Sequence, residues 1–370
     1  MSSCISAIGI ANPPFKISQQ AIYPFMVNAF DLQSNDALRL KKIYDQSGID
    51  FRYSAIADFD TSNSSEPAFF KNSKNQTFPG TRERLLIYEK WAADIGCKAA
   101  MNCLSQNGNN ISEKITHLIT VSCTGMHAPG LDIELVELLH LNRSTERTCI
   151  NFMGCYGAVN ALKTADYICR ADENAKVLVV SVELCTLHFQ KVNTLDNWVS
   201  NSLFSDGAAA VLVENTDHRL SNSKCLILEN FYTEFIPEAR DDMGWLIGNF
   251  GFEMKLSSKV SKHVKNHIKD ICEKLMKKAN LSLKDVSKYA IHPGGRRILE
   301  AAEESLNISP EQNRHSYETL RDFGNMSSAT ILFVLQKLLQ HSDNANGSRI
   351  LGAAFGPGLT VETMLLKQHN

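Results

Sequence analysis

The sequence lacks several features that would place it in a specialised class of protein. No run of about 18 apolar residues, the length that a helix needs to cross a bilayer, occurs among its 370 residues. Neither sign of charge dominates, because the formal net charge is −2 at pH 7, so no general attraction to nucleic acid or anionic lipid is expected. The first residues, MSSCISAIGIANPPF, lack the basic region and long apolar run of a signal peptide. We therefore expect a cytoplasmic protein with no membrane and no nucleic-acid partner.

None of the ten cysteines belongs to a C-x-x-C pair. Zinc sites and disulfide frameworks rest on close or regular cysteine spacings, so the scatter indicates a reducing compartment and no metal site. Hydrophobic residues make up 44% of the chain and charged residues 21%, which is an ordinary globular composition with enough apolar side chains for a large core. A chain of this length is long for one simple domain, which favours two sub-domains or a duplicated one.

Short apolar runs typical of buried strands alternate with helical stretches, which predicts a layered α/β protein. A first series of strands is predicted in ITHLITVS (115–122), TCINF (148–152), AKVLVVSVE (175–183) and GAAAVLVE (207–214). A second series is predicted in VSKYAIHP (286–293), SRILGAAF (348–355) and LTVETMLL (359–366). In each series a turn leads into a helix, from about Tyr156 in the first and within GNMSSATILFVLQKLL (324–339) in the second.

This repetition predicts a pseudo-duplicated, five-layered α/β/α/β/α fold in which each half supplies a sheet and a buried helix to the centre. The polar, strand-breaking segment NTDHRLSNSK (215–224) places the boundary close to residue 220. The halves are therefore expected at 1–220, which carries the candidate nucleophile described below, and at 221–370. Segment 59–82 is rich in Ser, Asn and Pro, a composition typical of a surface loop.

Three polar residues occur where a strand ends or a buried helix begins. Cys155 lies between two glycines in INFMGCYGAVNAL (150–162), at a junction of strand and helix. His292 follows the apolar run YAI and precedes PGGRR, and Asn325 begins the helical run NMSSATILFVL. Each has a purely structural interpretation: a small core cysteine, a hydrogen-bonded core histidine and a helix N-cap. A cysteine at a helix N-terminus is also where a thiolate is stabilised.

Together the three side chains have a definite chemistry. A thiolate paired with an imidazolium is a strong nucleophile near neutral pH and accepts an acyl group as a thioester. The imidazole N–H and the carboxamide N–H₂ can both point at one oxygen and stabilise negative charge that develops there. This arrangement suits the enolate formed when a malonyl thioester loses CO₂.

The order Cys, His, Asn also occurs in papain-like cysteine proteases. The local sequence argues against a protease, because GCYGA lacks the signature that surrounds the protease cysteine. The absence of a secretory signal and the position of Cys155 far from the first residue also argue against a protease.

Four motifs carry a more specific resemblance. MGCYGAVNAL, IHPGGRRILE, FGNMSSATILF and FGPGLTVET (355–363) have the order and spacing found in type III polyketide synthases, the chalcone synthase family of the thiolase superfamily. The chain resembles this family from about residue 5 to its end. The glycine-proline run in the last motif is the most discriminating, since ketoacyl synthases with the same three polar residues lack it.

The resemblance implies an acyltransferase that acts on acyl-CoA and malonyl-CoA as a homodimer, with no metal or redox cofactor. By this analogy Cys155 takes the starter acyl group, while His292 and Asn325 hold the malonyl carbonyl during decarboxylation. The carbanion then attacks the Cys155 thioester in a Claisen condensation, which repeats before the chain cyclises.

The resemblance also assigns residues around the reacting groups. Phe204 in SLFSDGAAA and Phe252 in GNFGFEMKLS match two gating positions between a CoA tunnel and a pocket. Arg39 and Lys42 match basic positions that contact CoA phosphates, whereas a third basic position is Gln46 here. Anionic phosphates suit such cations, although a run of charges is often only a solvated helix face.

Positions that line the family's pocket differ from those of plant chalcone synthases. The pocket residues implied by the resemblance are Cys123, His188, Met243, Ser327, Pro357 and Gly358. His188 and Met243 are bulkier than the usual plant residues, whereas Ser327 is kept. Cys123 and the phrase GFEMKLS are more similar to bacterial members, so we expect a microbial enzyme that makes a resorcinol, a pyrone or a related polyketide.

Three alternatives share the fold. A single-round 3-oxoacyl synthase would stop after one condensation. A hydroxymethylglutaryl-CoA synthase would need a carboxylic acid beside the cysteine, and NFMGCYGA contains none. A catalytically silent partner protein would not need Cys155, His292 and Asn325 to be intact.

Overall fold

The computed structural model describes residues 2–61, 68–70, 78–108, 111–216, 224–340 and 345–370. The strands are β1 (Ser3–Ala11), β2 (Phe15–Ser18), β3 (Phe51–Ser54), β4 (His117–Ser122), β5 (Glu146–Asn151), β6 (Lys176–Leu184), β7 (Asp206–Asn215), β8 (Cys225–Phe235), β9 (Met243–Gly248), β10 (Gly251–Leu256), β11 (Val286–Ile291), β12 (Arg349–Gly356) and β13 (Thr360–His369). The helices are α1 (Gln19–Phe30), α2 (Ser34–Asp45), α3 (Thr81–Leu104), α4 (Leu131–Leu138), α5 (Gly157–Ala171), α6 (Leu195–Leu203), α7 (Val260–Lys278), α8 (Arg296–Leu306), α9 (Arg314–Phe323) and α10 (Thr330–Gln340).

Two half-sheets with the same strand pattern form the frame of the molecule. The order is β11-β12-β13-β8-β1-β7-β6-β4-β5, and β1 meets β8 over only three residue pairs. In the first half β1, β7 and β6 are successively antiparallel and β4 runs parallel to β6. In the second half β8, β13 and β12 are successively antiparallel and β11 runs parallel to β12. The expected pseudo-duplication is therefore confirmed.

Three clusters of buried apolar side chains separate five layers. One lies between α1, α3, α4 and the outer face of the first half-sheet. A second surrounds α5 and α10 between the two half-sheets. The third lies between α7, α8 and the outer face of the second half-sheet. The central helices begin next to Cys155 and Asn325, so the layering brings these two residues from distant parts of the sequence to the centre.

Strand β7 shows why the strands of the sheet appear in the sequence as continuous apolar runs. Its alternate residues Ala208, Ala210 and Leu212 belong to the first cluster, while Ala209 and Val211 belong to the second. Each of these side chains is buried, because a layer of helices covers each face of the sheet. Period-two alternation of polar and apolar residues is therefore absent from this strand.

Each strand predicted from the sequence is present with ends shifted by at most a few residues, and the two predicted turns lead into α5 and α10. Strands β1 and β8 and the hairpin of β9 and β10 were not predicted. Of the predicted loop 59–82, residues 62–67 and 71–77 lie outside the described residues, and the last two belong to α3. The predicted boundary near 220 also lies outside them. No helix within the described ranges is both long and apolar enough to cross a membrane.

Candidate active site

Cys155 is presented by a tight turn between β5 and α5. The chain leaves β5 at Asn151, passes through Gly154 with φ of 73°, and forms a 3-10 turn over Gly154–Tyr156 that runs into α5. The amide N–H of Gly154 donates to the sulfur of Cys123 at 3.0 Å. Cys155 is 9% exposed, and its side chain lies where two cavities meet.

Glycine is required at position 154 for two independent reasons. Its φ of 73° belongs to the left-handed region, and a Cβ atom there would lie 2.2 Å from Cδ of Pro357. Left-handed backbone costs a residue with a Cβ roughly 1–2 kcal/mol, and overpacking adds roughly 1–3 kcal/mol. The turn that carries Cys155 therefore packs closely against the turn that begins at Pro357.

We expect Gly154→Ala to lower the free energy of unfolding by about 3 kcal/mol, because strain and overpacking act together. Gly347→Ala is the matched control, since Gly347 has φ of 86° and its Cβ position would meet only the flexible end of Lys367, at 3.9 Å. It should lose only about 1–2 kcal/mol. Denaturant unfolding measures both values, and equal losses in the two variants would contradict the contact with Pro357.

The first cavity, here called the entry cavity, contains Cys155, His292, Asn325 and Phe204. His292 directly follows β11, and its backbone N–H donates to the Ala353 carbonyl at 2.8 Å. The imidazole is 1% exposed, and neither ring nitrogen has a hydrogen-bond partner among the described residues. Buried polar atoms nearly always have partners, so an unpaired imidazole on a cavity wall indicates a place for ligand atoms.

Asn325 is held firmly by its own neighbours. Its Oδ1 accepts from the backbone N–H of Ser327 at 2.9 Å and from the Thr330 hydroxyl at 3.4 Å, while Nδ2 donates to the Gly294 carbonyl at 3.2 Å. The bond from a backbone N–H fixes which end of the amide is oxygen. The amide therefore serves the local turn, as the structural interpretation expected, and also lines the entry cavity beside Cys155.

Burial makes the thiol and the imidazole neutral. It raises the pKa of Cys155 to about 12, an effect that hydrogen bonds from the Ser327 and Asn325 side chains oppose and the charge of Glu183 strengthens. Burial also lowers the pKa of His292 to about 3. Both directions disfavour the thiolate–imidazolium pair considered from the sequence, because charges lose hydration in an enclosed cavity. Burial therefore favours the neutral thiol and the neutral imidazole in this cavity.

The second cavity, here called the inner cavity, continues from Cys155 away from His292. Five of the six predicted pocket residues line it, namely Cys123, His188, Met243, Ser327 and Pro357. The sixth, Gly358, does not line it, since Gly358 forms the following turn with φ of 76° and faces Phe235. Apolar side chains from α1 and the segment after β3, including Ile22, Met26 and Phe59, also line it.

The two predicted gating residues are placed differently. Phe204 follows α6 and lines both cavities, as a residue between them should. Phe252 lines neither cavity, because it is 1% exposed and its ring stacks against the imidazole of His188 with centroids 4.2 Å apart. The structure therefore places Phe204 at the junction of the two cavities, whereas Phe252 packs against the ring of His188 and does not reach either cavity.

Arg39 and Lys42 line a surface recess together with Gln46, Trp198 and Arg297. The recess adjoins the entry cavity, since Gln46 and Arg297 line both. Arg39 forms an exposed ion pair with Asp36, whereas neither Lys42 nor Arg297 forms an ion pair with another described residue. Sequence reasoning missed Arg297, although the unusual pair Arg-Arg in PGGRR was visible.

A buried carboxylate also escaped sequence reasoning. Glu183 near the end of β6 accepts from the backbone N–H of Cys123 at 3.0 Å and from the Thr124 hydroxyl at 2.8 Å, and the Ser328 hydroxyl donates to it as well. Burial raises its pKa. It lines neither cavity, so it is not the carboxylic acid that a hydroxymethylglutaryl-CoA synthase would place beside the cysteine. The sequence signal that could have revealed Glu183 is an acidic residue within the apolar run VLVVSVEL.

Comparisons with known proteins agree with this geometry. The model of the N-terminal domain of chalcone and stilbene synthases matches residues 2–217, and that of the C-terminal domain matches 228–369. The alpha-pyrone synthesis polyketide synthase-like protein Pks18 of Mycobacterium tuberculosis is 31% identical over 88% of this chain and 81% of its own length. Probable polyketide synthase 1 of Dictyostelium discoideum is 29% identical over 99% of this chain, which spans 11% of that longer protein.

Among solved structures, the C-terminal type III polyketide synthase domain of Steely1, a type I/III hybrid from Dictyostelium, has a TM-score of 0.90 at 28% identity. The match covers 100% of both chains. The chain therefore belongs to the chalcone and stilbene synthase family, the type III polyketide synthases, which are condensing acyltransferases with a thiolase fold. The resemblance inferred from the four motifs is confirmed, and the similarity to bacterial members stays a prediction.

Proposed function

We propose that Cys155 is loaded from an acyl-CoA and that the enzyme extends this starter with units from malonyl-CoA before cyclising the chain. The product is a resorcinol, a pyrone or a related polyketide. The observation that carries the proposal is the position of Cys155, which lines both an entry cavity with His292 and Asn325 and a separate inner cavity. The inner cavity gives room on that side of Cys155 for the acyl group and for a chain that grows from it.

Loading requires a proton acceptor because the thiol is neutral in the cavity. As the sulfur of Cys155 attacks the thioester carbonyl of acyl-CoA, its proton passes to the unpaired imidazole of His292. The tetrahedral intermediate then collapses, the bond to the CoA sulfur breaks, and CoA leaves as a thiol that takes the proton. His292 returns to its neutral form, and the acyl group stays on Cys155 as a thioester.

Extension uses His292 and Asn325 as hydrogen-bond donors. His292 and Asn325 hold the thioester carbonyl of malonyl-CoA, and the bond to the carboxylate breaks to release CO₂. The electron pair becomes an enolate whose oxygen both donors stabilise. Its carbon attacks the acyl group on Cys155, which forms a C–C bond and releases the thiolate.

This chemistry is acyl transfer without oxidation or reduction, so we propose that no metal or cofactor takes part. In the described ranges, no group of three or more His, Cys, Asp or Glu side chains is arranged to hold a metal ion.

The surface recess supplies the cations for the CoA phosphates. Arg39, Lys42 and Arg297 surround its mouth, and Arg297 compensates for the missing charge at Gln46, which lines the same recess. Guanidinium groups bind phosphate oxygens through paired hydrogen bonds. A CoA thioester whose phosphates lie in the recess would extend through the shared residues into the entry cavity.

We expect Arg297→Ala to raise KM for both CoA thioesters about tenfold, a loss of about 1.4 kcal/mol, with little change in kcat. Arg321→Ala is the control, because Arg321 is paired with Asp322 at 2.7 Å and lines neither the recess nor the entry cavity, and its KM should change less. Gln46→Lys should lower KM by adding the third cation. Steady-state kinetics at low and moderate salt measures these values, and equal KM in wild type and Arg297→Ala would contradict the assignment.

Exposed surface around β5 supports the proposal of a homodimer. This strand is the edge of the nine-stranded sheet, and five of its six residues are exposed, namely Glu146 to Cys149 and Asn151. Exposed apolar side chains lie nearby on and before α4, namely Met126, Ile133 and Leu138. An unpaired edge with apolar neighbours is a surface that a second copy can cover.

We propose in addition that the halves are 1–220 and 221–370. We also propose that the enzyme acts in the cytoplasm, where a thiol such as Cys155 stays reduced.

Incubation of the purified protein with a panel of acyl-CoAs and labelled malonyl-CoA tests the proposed function. Products that contain several two-carbon units and a closed ring are expected, and their masses give the number of extensions. A product with one added unit would instead identify a single-round 3-oxoacyl synthase. The absence of any cyclised product from every starter would refute the proposal.

A further inference from the structure

Helix α6 forms a wall that the two cavities share. Asn197, Ser200, Asn201 and Phe204 line the inner cavity, and their spacing of three and four residues places them on one side of the helix. Other residues of α6, including Val199, line the entry cavity. Three polar side chains of α6 therefore face an inner cavity whose wall is mainly apolar.

The hydroxyl of Ser200 has no hydrogen-bond partner among the residues that the structure describes, although Ser200 is only 5% exposed. A serine inside a helix can bond back to a carbonyl of the preceding turn, as Ser202 does to the Val199 carbonyl at 2.7 Å. Buried polar atoms nearly always have partners. An unpaired hydroxyl on a cavity wall therefore indicates a place for an acceptor atom of a ligand.

Hydroxyls elsewhere on the wall of the inner cavity are engaged by the protein. The Thr186 hydroxyl donates to the Asp206 carboxylate at 2.7 Å. The Thr124 hydroxyl donates to the Glu183 carboxylate at 2.8 Å. A hydroxyl has one proton to donate, so these two groups hold the wall together, whereas the proton of Ser200 is free to meet a ligand.

The C-terminal end of α6 is held from outside the helix, which fixes the position of Ser200. The buried guanidinium of Arg52 donates from Nη1 to the carbonyls of Asn201 and Phe204, each at 2.8 Å. The last carbonyls of a helix have no partner within it, and a cation at that end is favourable. The helix is therefore a firm support for a binding group.

Ser200 lies about one helical turn from the junction of the two cavities. It precedes Phe204 by four residues, which is roughly 6 Å along the helix axis, and Phe204 and Cys155 line both cavities. Each extension of a chain on Cys155 adds a keto group, whose oxygen is a hydrogen-bond acceptor. A single hydroxyl at a fixed place along the cavity can therefore hold one of these oxygens in preference to the others.

We propose that the Ser200 hydroxyl donates a hydrogen bond to one keto oxygen of the growing chain and thereby influences how the ring closes. The hydrogen bond draws electron density from that oxygen, so the oxygen attacks another carbonyl less readily and closure through a carbon atom is favoured. The role in ring closure rests on the proposed function, whereas the binding of a keto oxygen does not.

Binding of acetylacetone, a small 1,3-diketone, tests the hydrogen bond without reference to activity. In NMR titrations that follow the ligand, Ser200→Ala should raise Kd roughly three- to tenfold, as expected for the loss of one hydrogen bond. Thr319→Val is the matched control, because the buried Thr319 hydroxyl also has no partner within the described chain but lines neither cavity. Equal Kd in Ser200→Ala and wild type, or an equal rise in Thr319→Val, overturns the proposal.

Products from a single starter and labelled malonyl-CoA test the role in ring closure. Ser200→Ala and Ser200→Val both lack the hydroxyl but differ in volume, whereas Ser200→Thr keeps the hydroxyl at nearly the volume of valine. Ala and Val at this position should raise the ratio of oxygen-closed to carbon-closed rings roughly three- to tenfold, and Thr should leave it near the wild-type ratio. A ratio that follows side-chain volume, or a wild type that closes every ring through oxygen, overturns this role.

Thermal unfolding separates ligand binding from a structural role of Ser200. Because the hydroxyl makes no bond to the described protein, Ser200→Ala should unfold at or above the wild-type temperature, and a clearly lower temperature would contradict the proposal. A wild-type protein that forms no polyketide from any starter refutes the proposed function instead. The acetylacetone titration then still decides whether Ser200 binds a keto oxygen.

Discussion

Replacement of Cys155 by alanine is expected to abolish transfer of the acyl group to the protein and to lower polyketide formation on the order of 10⁴-fold or more. The thiol is the only group placed at the junction of the two cavities that can form a thioester there within the described chain. Decarboxylation of malonyl-CoA should persist, since the proposed donors for that step, His292 and Asn325, are untouched. Intact-protein mass after incubation with acyl-CoA measures loading, and release of labelled CO₂ measures decarboxylation.

Cys97→Ala is the control for this experiment, because Cys97 is a half-buried thiol on α3 away from both cavities. It should load as the wild type does and shows whether an accessible thiol reacts nonspecifically. A Cys155→Ala protein that still carries one acyl group and forms products at the wild-type rate would contradict the assignment. Loss of both loading and decarboxylation would show that the two steps are not separate in this site.

Two substitutions of His292 are expected to separate its two proposed roles. His292→Ala should lower loading by roughly 10²–10⁴-fold through loss of the proton acceptor. It should also lower decarboxylation by roughly 10²–10³-fold through loss of the donor to the enolate oxygen. His292→Gln keeps an N–H donor but cannot take a proton near neutral pH. It should therefore lose loading to a similar extent and retain much of the decarboxylation.

The same two assays measure these variants, and thermal unfolding shows whether each remains folded. Equal losses of decarboxylation in His292→Ala and His292→Gln would contradict a donor role for the imidazole. Loading at the wild-type rate in either variant would contradict its role as proton acceptor. Because burial disfavours the charged imidazole, the proton is expected to reside there only during attack and collapse.

Much of the architecture was predictable because local sequence patterns report burial directly. The apolar runs of β6, β7 and β12 are continuous since both faces of the sheet are covered, and glycine-containing turns mark the starts of the two central helices. The motifs around Cys155, His292 and Asn325 were readable for the same reason, because each is a short stretch in which a polar residue interrupts an apolar one. Strands β1 and β8 were missed, since small or polar residues interrupt the apolar ones in SCISAIGIA and CLILENFYTEF.

Sequence reasoning predicted less well the surroundings of residues that depend on long-range packing. Phe252 matched a gating position, yet the three-dimensional structure puts His188 between it and the cavity. Arg297, which we propose compensates for the missing cation at Gln46, is distant in sequence but lines the same recess. No spacing rule connects such pairs, because their proximity results from how α2 and α8 pack around one opening.

The candidate reacting groups, the order of most elements and the family were thus encoded in short stretches of the chain. The charge state of Cys155 and His292, the ring that bounds the inner cavity and the cations at its entrance were not. A pKa depends on the hydration that a group loses to every neighbour that surrounds it, and the shape of a cavity depends on all the walls at once. Both are properties of the assembled layers, so they emerge only when distant segments pack together.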